Sequence, residues 1–77
     1  MTYRFHEDAR DELDSAAAWY EVERIGLAAD FVRAVDSAIH RAVADPESWP
    51  AIDRRFRRCP VQRFPYDVVF AVDARKL

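Results

Sequence analysis

Glycine is nearly missing from this 77-residue sequence; Gly26 stands alone. Phosphate-cradling loops need several glycines where the backbone closes on the phosphates, so such loops are excluded. Cysteine is equally scarce. Cys59 cannot form an intramolecular disulfide by itself, and a reducing compartment is expected. No apolar run approaches the roughly 20 residues that a membrane-spanning helix needs, so no membrane role is expected. The opening residues, Met1-Thr2-Tyr3-Arg4-Phe5-His6-Glu7, lack the apolar segment of a secretory signal, which predicts a cytoplasmic protein. Length is short as well. The chain is about half of a typical 150-residue domain, so residues 1–77 are expected to form one domain. Such a chain buries only about 60% of the surface it exposes when unfolded. Two-domain clefts and folds with several βαβ units do not fit.

What the sequence does contain points to a packed core. It is 51% hydrophobic and 34% charged, with two Trp, three Tyr and five Phe. That is too apolar for a disordered chain. The net charge of −2 conceals an uneven distribution. Residues 1–53 carry five arginines against twelve acids, a net −7. Residues 54–77 carry six arginines and Lys76 against Asp67 and Asp73, a net +5. Asymmetry of this kind suggests either a polar partner on the basic side or internal neutralisation of a basic strand by acidic helices.

Residues 2–5 alternate with the period of a short strand, Tyr3 and Phe5 on one face. Residues 7–24 then repeat at helical steps, with Ala9, Leu13, Ala16, Ala17 and Tyr20 in one stripe. Glu7, Asp8, Asp11 and Glu12 crowd its first turns, where the helix dipole favours carboxylates. Gly26 suits the left-handed position that ends a helix. A second helix is expected over 27–44, with Leu27, Phe31, Ala34, Val35, Ala38, Ile39 and Ala42 in a broad arc widened by Val32 and Val43. That arc predicts burial against both the first helix and a sheet. The short link predicts an antiparallel helical hairpin.

Asp45-Pro46 should stop the second helix. Two strands follow, over residues 55–63 and 66–73, joined at Phe64-Pro65. Pro60 lacks a donor and marks the first of them as an edge strand or a bulged one. The expected order is β-α-α-β-β, an α+β fold with a helix hairpin packed on a small antiparallel sheet.

Several stretches in this order resemble a known family. They are Phe5-His6-Glu7-Asp8-Ala9 through Glu12-Leu13, the run Ala16-Ala17-Ala18-Trp19-Tyr20-Glu21, and Gly26-Leu27 before Phe31. Pro46-Glu47-Ser48-Trp49-Pro50, Arg57-Arg58 and Arg63-Phe64-Pro65-Tyr66-Asp67-Val68-Val69-Phe70 complete the set. Together they resemble the ParE/RelE superfamily of bacterial toxins from type II toxin–antitoxin pairs, closest to the ParE, or plasmid-stabilisation, branch. The resemblance implies a toxin neutralised by a cognate antitoxin whose disordered, acidic-apolar tail wraps the hairpin and sheet. ParE-like members poison DNA gyrase and are not hydrolases. RelE-like members cut messenger RNA on the ribosome. Family members usually continue past residues 73–77 with another strand and a basic tail. Against that pattern the chain is expected to be one strand short, with a sheet edge open to a partner strand or to a second copy forming a homo-oligomer. An inactive remnant that still binds antitoxin is the third reading.

The arginine cluster Arg54, Arg55, Arg57, Arg58 and Arg63 carries the most functional chemistry. Each guanidinium is a planar fork of donors suited to carboxylate or phosphate. Strand alternation sends Arg57 and Arg63 to one side and Arg58 to the other. The alternative is a solvated edge strand that uses charge against aggregation. Metal-free RNA cleavage needs a base, an acid and cations at the phosphate. Arg58, Arg63 and Tyr66 are the weak candidates for those roles. Trp19 lies off the main stripe of the first helix. It either packs at the helix–helix seam or joins a groove that anchors an antitoxin segment. Trp49 is expected to seal one end of the core. His6, His40 and the acids of the first helix read as exposed or capping groups, and Cys59 as structural. No metal or cofactor is expected.

Overall fold

The computed structural model describes residues 7–71. The strand expected over residues 2–5 lies outside them, as do the last two residues of the strand expected over 66–73. Within them the order is helix, helix, a single turn of tighter helix, strand, strand.

Helix α1 spans Glu7–Glu23. It buries Ala16 and Tyr20 and half-buries Leu13 and Ala17. Ala9, on the same stripe, remains exposed outside the core cluster. The N–H of Arg24 still donates to the Tyr20 carbonyl at 3.1 Å. Gly26 then turns the chain with φ 90° and ψ −10°. A side chain there would strain the backbone, so the lone glycine sits where left-handed geometry is required. The tip is tied from α1: the Glu21 carboxylate accepts from the N–H groups of Gly26 and Ala28, each at 3.1 Å. Those donors belong to the start of the next helix, where a negative charge also suits the dipole.

Helix α2 spans Leu27–Ala44 and buries Phe31, Val35, Ala38, Ile39 and Ala42. Val43 widens this arc as expected and is half-buried; Val32 remains 44% exposed. Asp45 leaves the helical region at φ −152°, and Pro46–Ser48 makes one 3-10 turn. The Ser48 hydroxyl donates to the Asp45 carbonyl at 2.9 Å.

Strands β1, Phe56–Pro60, and β2, Asp67–Ala71, pair antiparallel with Cys59 opposite Val68 and Arg58 opposite Val69. Alternation places Arg57, Cys59, Val68 and Phe70 on the face toward α2. Phe56, Arg58, Pro60, Asp67, Val69 and Ala71 take the outer face. Pro60 occupies the last position of β1, where its missing donor interrupts nothing. The other edge of β1 is partly covered. The Arg58 N–H donates to the Pro50 carbonyl at 3.1 Å, and Ala51 bridges to Arg57.

Helix α2 touches α1 and both strands, and the core forms along it. Every buried residue in the described region is apolar or cysteine. Phe31 is 2% exposed, and burying such a ring contributes about 1.5–3 kcal/mol. Cys59 is fully buried, its thiol directed at the Ala38 carbonyl at 3.5 Å. Burial pushes its pKa upward, which suits a packing role rather than a reactive one. The fold is α+β, two helices followed by an antiparallel strand pair, as the sequence predicts.

Candidate functional site

The five arginines of the basic segment divide into different environments. Arg57 faces inward and is half-buried. Its Nη1 donates to the Trp49 carbonyl at 2.6 Å and the Glu47 carbonyl at 3.3 Å. It therefore pins the 46–50 connector to β1. Arg58 projects from the outer face, 3.7 Å from the Asp67 carboxylate. Both groups are well exposed, so the pair is weak. Arg54 and Arg55 stand in the turn before β1 and are exposed. Asp53 builds that turn, accepting from the N–H groups of Arg55 at 2.8 Å and Phe56 at 3.0 Å. These bonds hold the Asp53 carboxyl below its ordinary range. The Arg55 guanidinium sits 5.3 Å from the Phe56 ring centre.

Arg63 departs from the expected strand position. It lies in the β1–β2 connection, with φ 76°. The connection is closed by the Val61 N–H donating to the Tyr66 carbonyl at 2.8 Å. A non-glycine residue in the left-handed region costs about 1–2 kcal/mol. The Arg63 guanidinium lies 5.9 Å from the Phe64 ring, and an exposed contact of that kind returns about 0.5–1 kcal/mol.

The turn carries Phe64 and Tyr66 against the helices. Phe64 packs at 5.0 Å from Tyr20 and 5.1 Å from Phe31, both edge-on. Tyr66 packs at 5.3 Å from Phe31 and 6.3 Å from Tyr20. Burial, then the neighbouring Tyr66, raises the pKa of Tyr20. Trp19 meets Tyr20 edge-on at 5.1 Å but is 58% exposed. It therefore borders the core and presents a ring outward. Tyr66 is 45% exposed on the same aromatic cluster.

Arg58, Arg63 and Tyr66 do not converge. Arg58 takes the outer face, Tyr66 packs toward the helices, and Arg63 belongs to the turn between them. The Asp67 carboxylate stands on the same outer face, 3.7 Å from Arg58.

Arg41 is the residue that sequence reasoning missed. It falls on the polar side of α2 by periodicity, yet it is half-buried. Its Nη2 donates to the Pro60 carbonyl at 3.1 Å, and its guanidinium lies 5.7 Å from the Trp49 ring centre. Trp49 Nε1 in turn donates to the Arg41 carbonyl at 3.2 Å. The signal available was Trp49 itself, an indole placed one short turn beyond the helix that carries Arg41. His40 is exposed, with Nδ1 2.9 Å from the Asp36 carbonyl. Among the described residues no group of three or more His, Cys, Asp or Glu is placed to hold a metal. No described helix is long and apolar enough to cross a membrane.

A family model for the ParE toxin of type II toxin-antitoxin system, parDE, matches residues 3–77. The chain belongs to the ParE toxin family. Membership makes it the toxin half of a type II toxin–antitoxin pair, with a cognate antitoxin as its partner. No curated protein and no solved structure matches the chain significantly. The ParE match extends over both helices and both strands described above, so the aromatic cluster and the arginines all fall within it.

Proposed function

We propose that this ParE-family toxin acts in the cytoplasm by binding and poisoning DNA gyrase, and that its antitoxin blocks it by covering the exposed basic and aromatic surface. The arrangement of Arg58, Tyr66 and Asp67 carries this reading. A ribonuclease must gather its cations and its proton-transfer groups around one phosphate. Here Arg58 stands on the outer face of the strand pair, whereas Arg63 and Tyr66 lie in the connection between the strands, and an acid, Asp67, stands 3.7 Å from Arg58. A surface of separated arginines and half-exposed rings suits protein contact better, since Arg, Trp and Tyr dominate binding hot spots. Trp19, Arg54, Arg55, Arg58 and Arg63 are the proposed contacts. Arg57 supports them by fixing the strand to its connector.

The test is gyrase-catalysed supercoiling with the purified chain, with and without the antitoxin. Supercoiling should fall, cleaved DNA should accumulate, and the antitoxin should restore activity. Unimpaired gyrase together with new cuts inside translated messages would replace this reading with ribonuclease action. Antitoxin binding without either effect would identify an inactive relative.

A further inference from the structure

The outer face of the strand pair is more apolar than a sheet surface turned to water should be. An antiparallel pair packed on one side normally alternates, apolar residues inward and polar residues outward. Here the outer positions are Phe56, Arg58 and Pro60 on β1 and Asp67, Val69 and Ala71 on β2. Four of these six are apolar. Val69 is 57% exposed, Phe56 is half-buried, and Pro60 and Ala71 are exposed. Helix α2 packs on the opposite face, so it covers none of them. Contiguous apolar surface left in water marks a site of association. The two charged residues of the face are of opposite sign and sit diagonally across the ladder, Arg58 at 3.7 Å from Asp67. Both are well exposed, so this contact ties neither of them down.

Those two charges select the occupant. A partner of one sign would set a like charge against either Arg58 or Asp67. A second copy of the chain carries the same pair, and a two-fold axis lets each charge meet its opposite. We propose that two copies pack outer face to outer face across a two-fold axis, with Val69 and its apolar neighbours at the centre and each Arg58 against the partner's Asp67. The contact joins faces, so it differs from strand addition at a sheet edge. A face two strands wide and five residues long measures about 17 Å by 10 Å. That is smaller than a standard interface, so the association is weak, with Kd of about 10–100 µM. It requires neither gyrase nor antitoxin, and it holds Arg58 away from the contacts proposed above until the copies separate.

The experiment is sedimentation equilibrium of the purified full chain, from about 5 µM to about 1 mM, for wild type, Arg58→Asp and Asp67→Arg, alone and in equal mixture. Wild type should pass from monomer to dimer across that range. Each variant alone should self-associate about tenfold more weakly or worse, because like charges then meet across the axis. Their mixture should recover a dimer at least as tight as wild type, since the two acids of one copy face the two arginines of the other. Both side chains are exposed, so melting temperatures should stay within about 4 °C of wild type. The same charge changes placed on α1, Arg10→Asp and Asp14→Arg, should leave self-association within about threefold of wild type. Val69→Ser should weaken the dimer several-fold in wild type and in the mixture alike. A wild type that stays monomeric to about 1 mM would overturn the proposal. So would a mixture that fails to associate, single variants that dimerise like wild type, or an equal loss from the changes on α1.

Discussion

At one end of α2, Tyr20, Phe31, Phe64 and Tyr66 close the core with rings. At the other end, Arg41, Trp49 and Arg57 close it with hydrogen bonds to backbone carbonyls. The two ends show how a small domain uses its limited supply of large side chains. The aromatic end supplies apolar burial and also keeps two rings, Trp19 and Tyr66, partly outside. The arginine end supplies position: it holds the 46–50 connector, the end of α2 and both termini of β1 in one register. It also withdraws two arginines from the surface. Basic composition therefore overstates the cationic surface, and the arginines left outside are those with little structural work.

The comparison breaks most readily at the aromatic end. Phe31→Ala should cost about 3–5 kcal/mol, because the ring is fully enclosed and contacts both Phe64 and Tyr66. That loss is comparable to the whole stability of a small domain, so the variant should be largely unfolded at 37 °C by circular dichroism. At the arginine end, Arg57→Ala should cost less, about 1–3 kcal/mol, because it removes charged donors from the Trp49 and Glu47 carbonyls without opening the core. Its melting temperature should drop by roughly 5–15 °C. Arg54→Ala, a surface change, should shift melting hardly at all. Equal effects of Arg57→Ala and Arg54→Ala would mean that the carbonyl bonds do not hold the connector.

An effect smaller than that of Arg57→Ala is expected at the hairpin tip. The Asp30 carboxyl is held below its ordinary range, first by the hydrogen bond from Arg24 at 3.3 Å and further by Arg33. A carboxyl with a lowered folded pKa contributes stability above its unfolded value, near pH 4, and loses it as pH falls through the folded one. Wild type should therefore melt somewhat above Asp30→Asn at pH 7, and the two should converge toward pH 2–3. A gap that persists at pH 2 would assign the effect to something other than the charge.

Much of this architecture is legible in the sequence, because helices announce themselves locally. The 3.6-residue stripe, the acids of the first turns, Gly26 and Asp45-Pro46 all act within a few residues. The helices accordingly run Glu7–Glu23 and Leu27–Ala44 against expectations of 7–24 and 27–44. Strand limits are less legible. Residues 55–63 read as one strand, yet β1 covers only Phe56–Pro60, since the chain leaves the ladder where Pro60 ends it and Arg63 turns left-handed. The arginine environments are the least legible. Strand parity separates Arg57 from Arg58 correctly, but nothing local says that Arg57 and Arg41 will find carbonyls contributed by distant segments. Arg63 reads as a third member of the alternation because its backbone reversal leaves no mark on composition.

The tight tip at Gly26 has a kinetic consequence. It joins α1 to α2 directly, and the six residues between β1 and β2 join the strands as directly, so each hairpin closes through a short loop. Short loops lose little entropy on closing, and folds dominated by near-neighbour pairing reach the native state in microseconds to milliseconds. Among the described residues the long-range event is docking of the strand pair on α2. Its slowest step should be the meeting of Phe64 with Tyr20 and Phe31, which makes the aromatic end the place where a folding transition state is best sought.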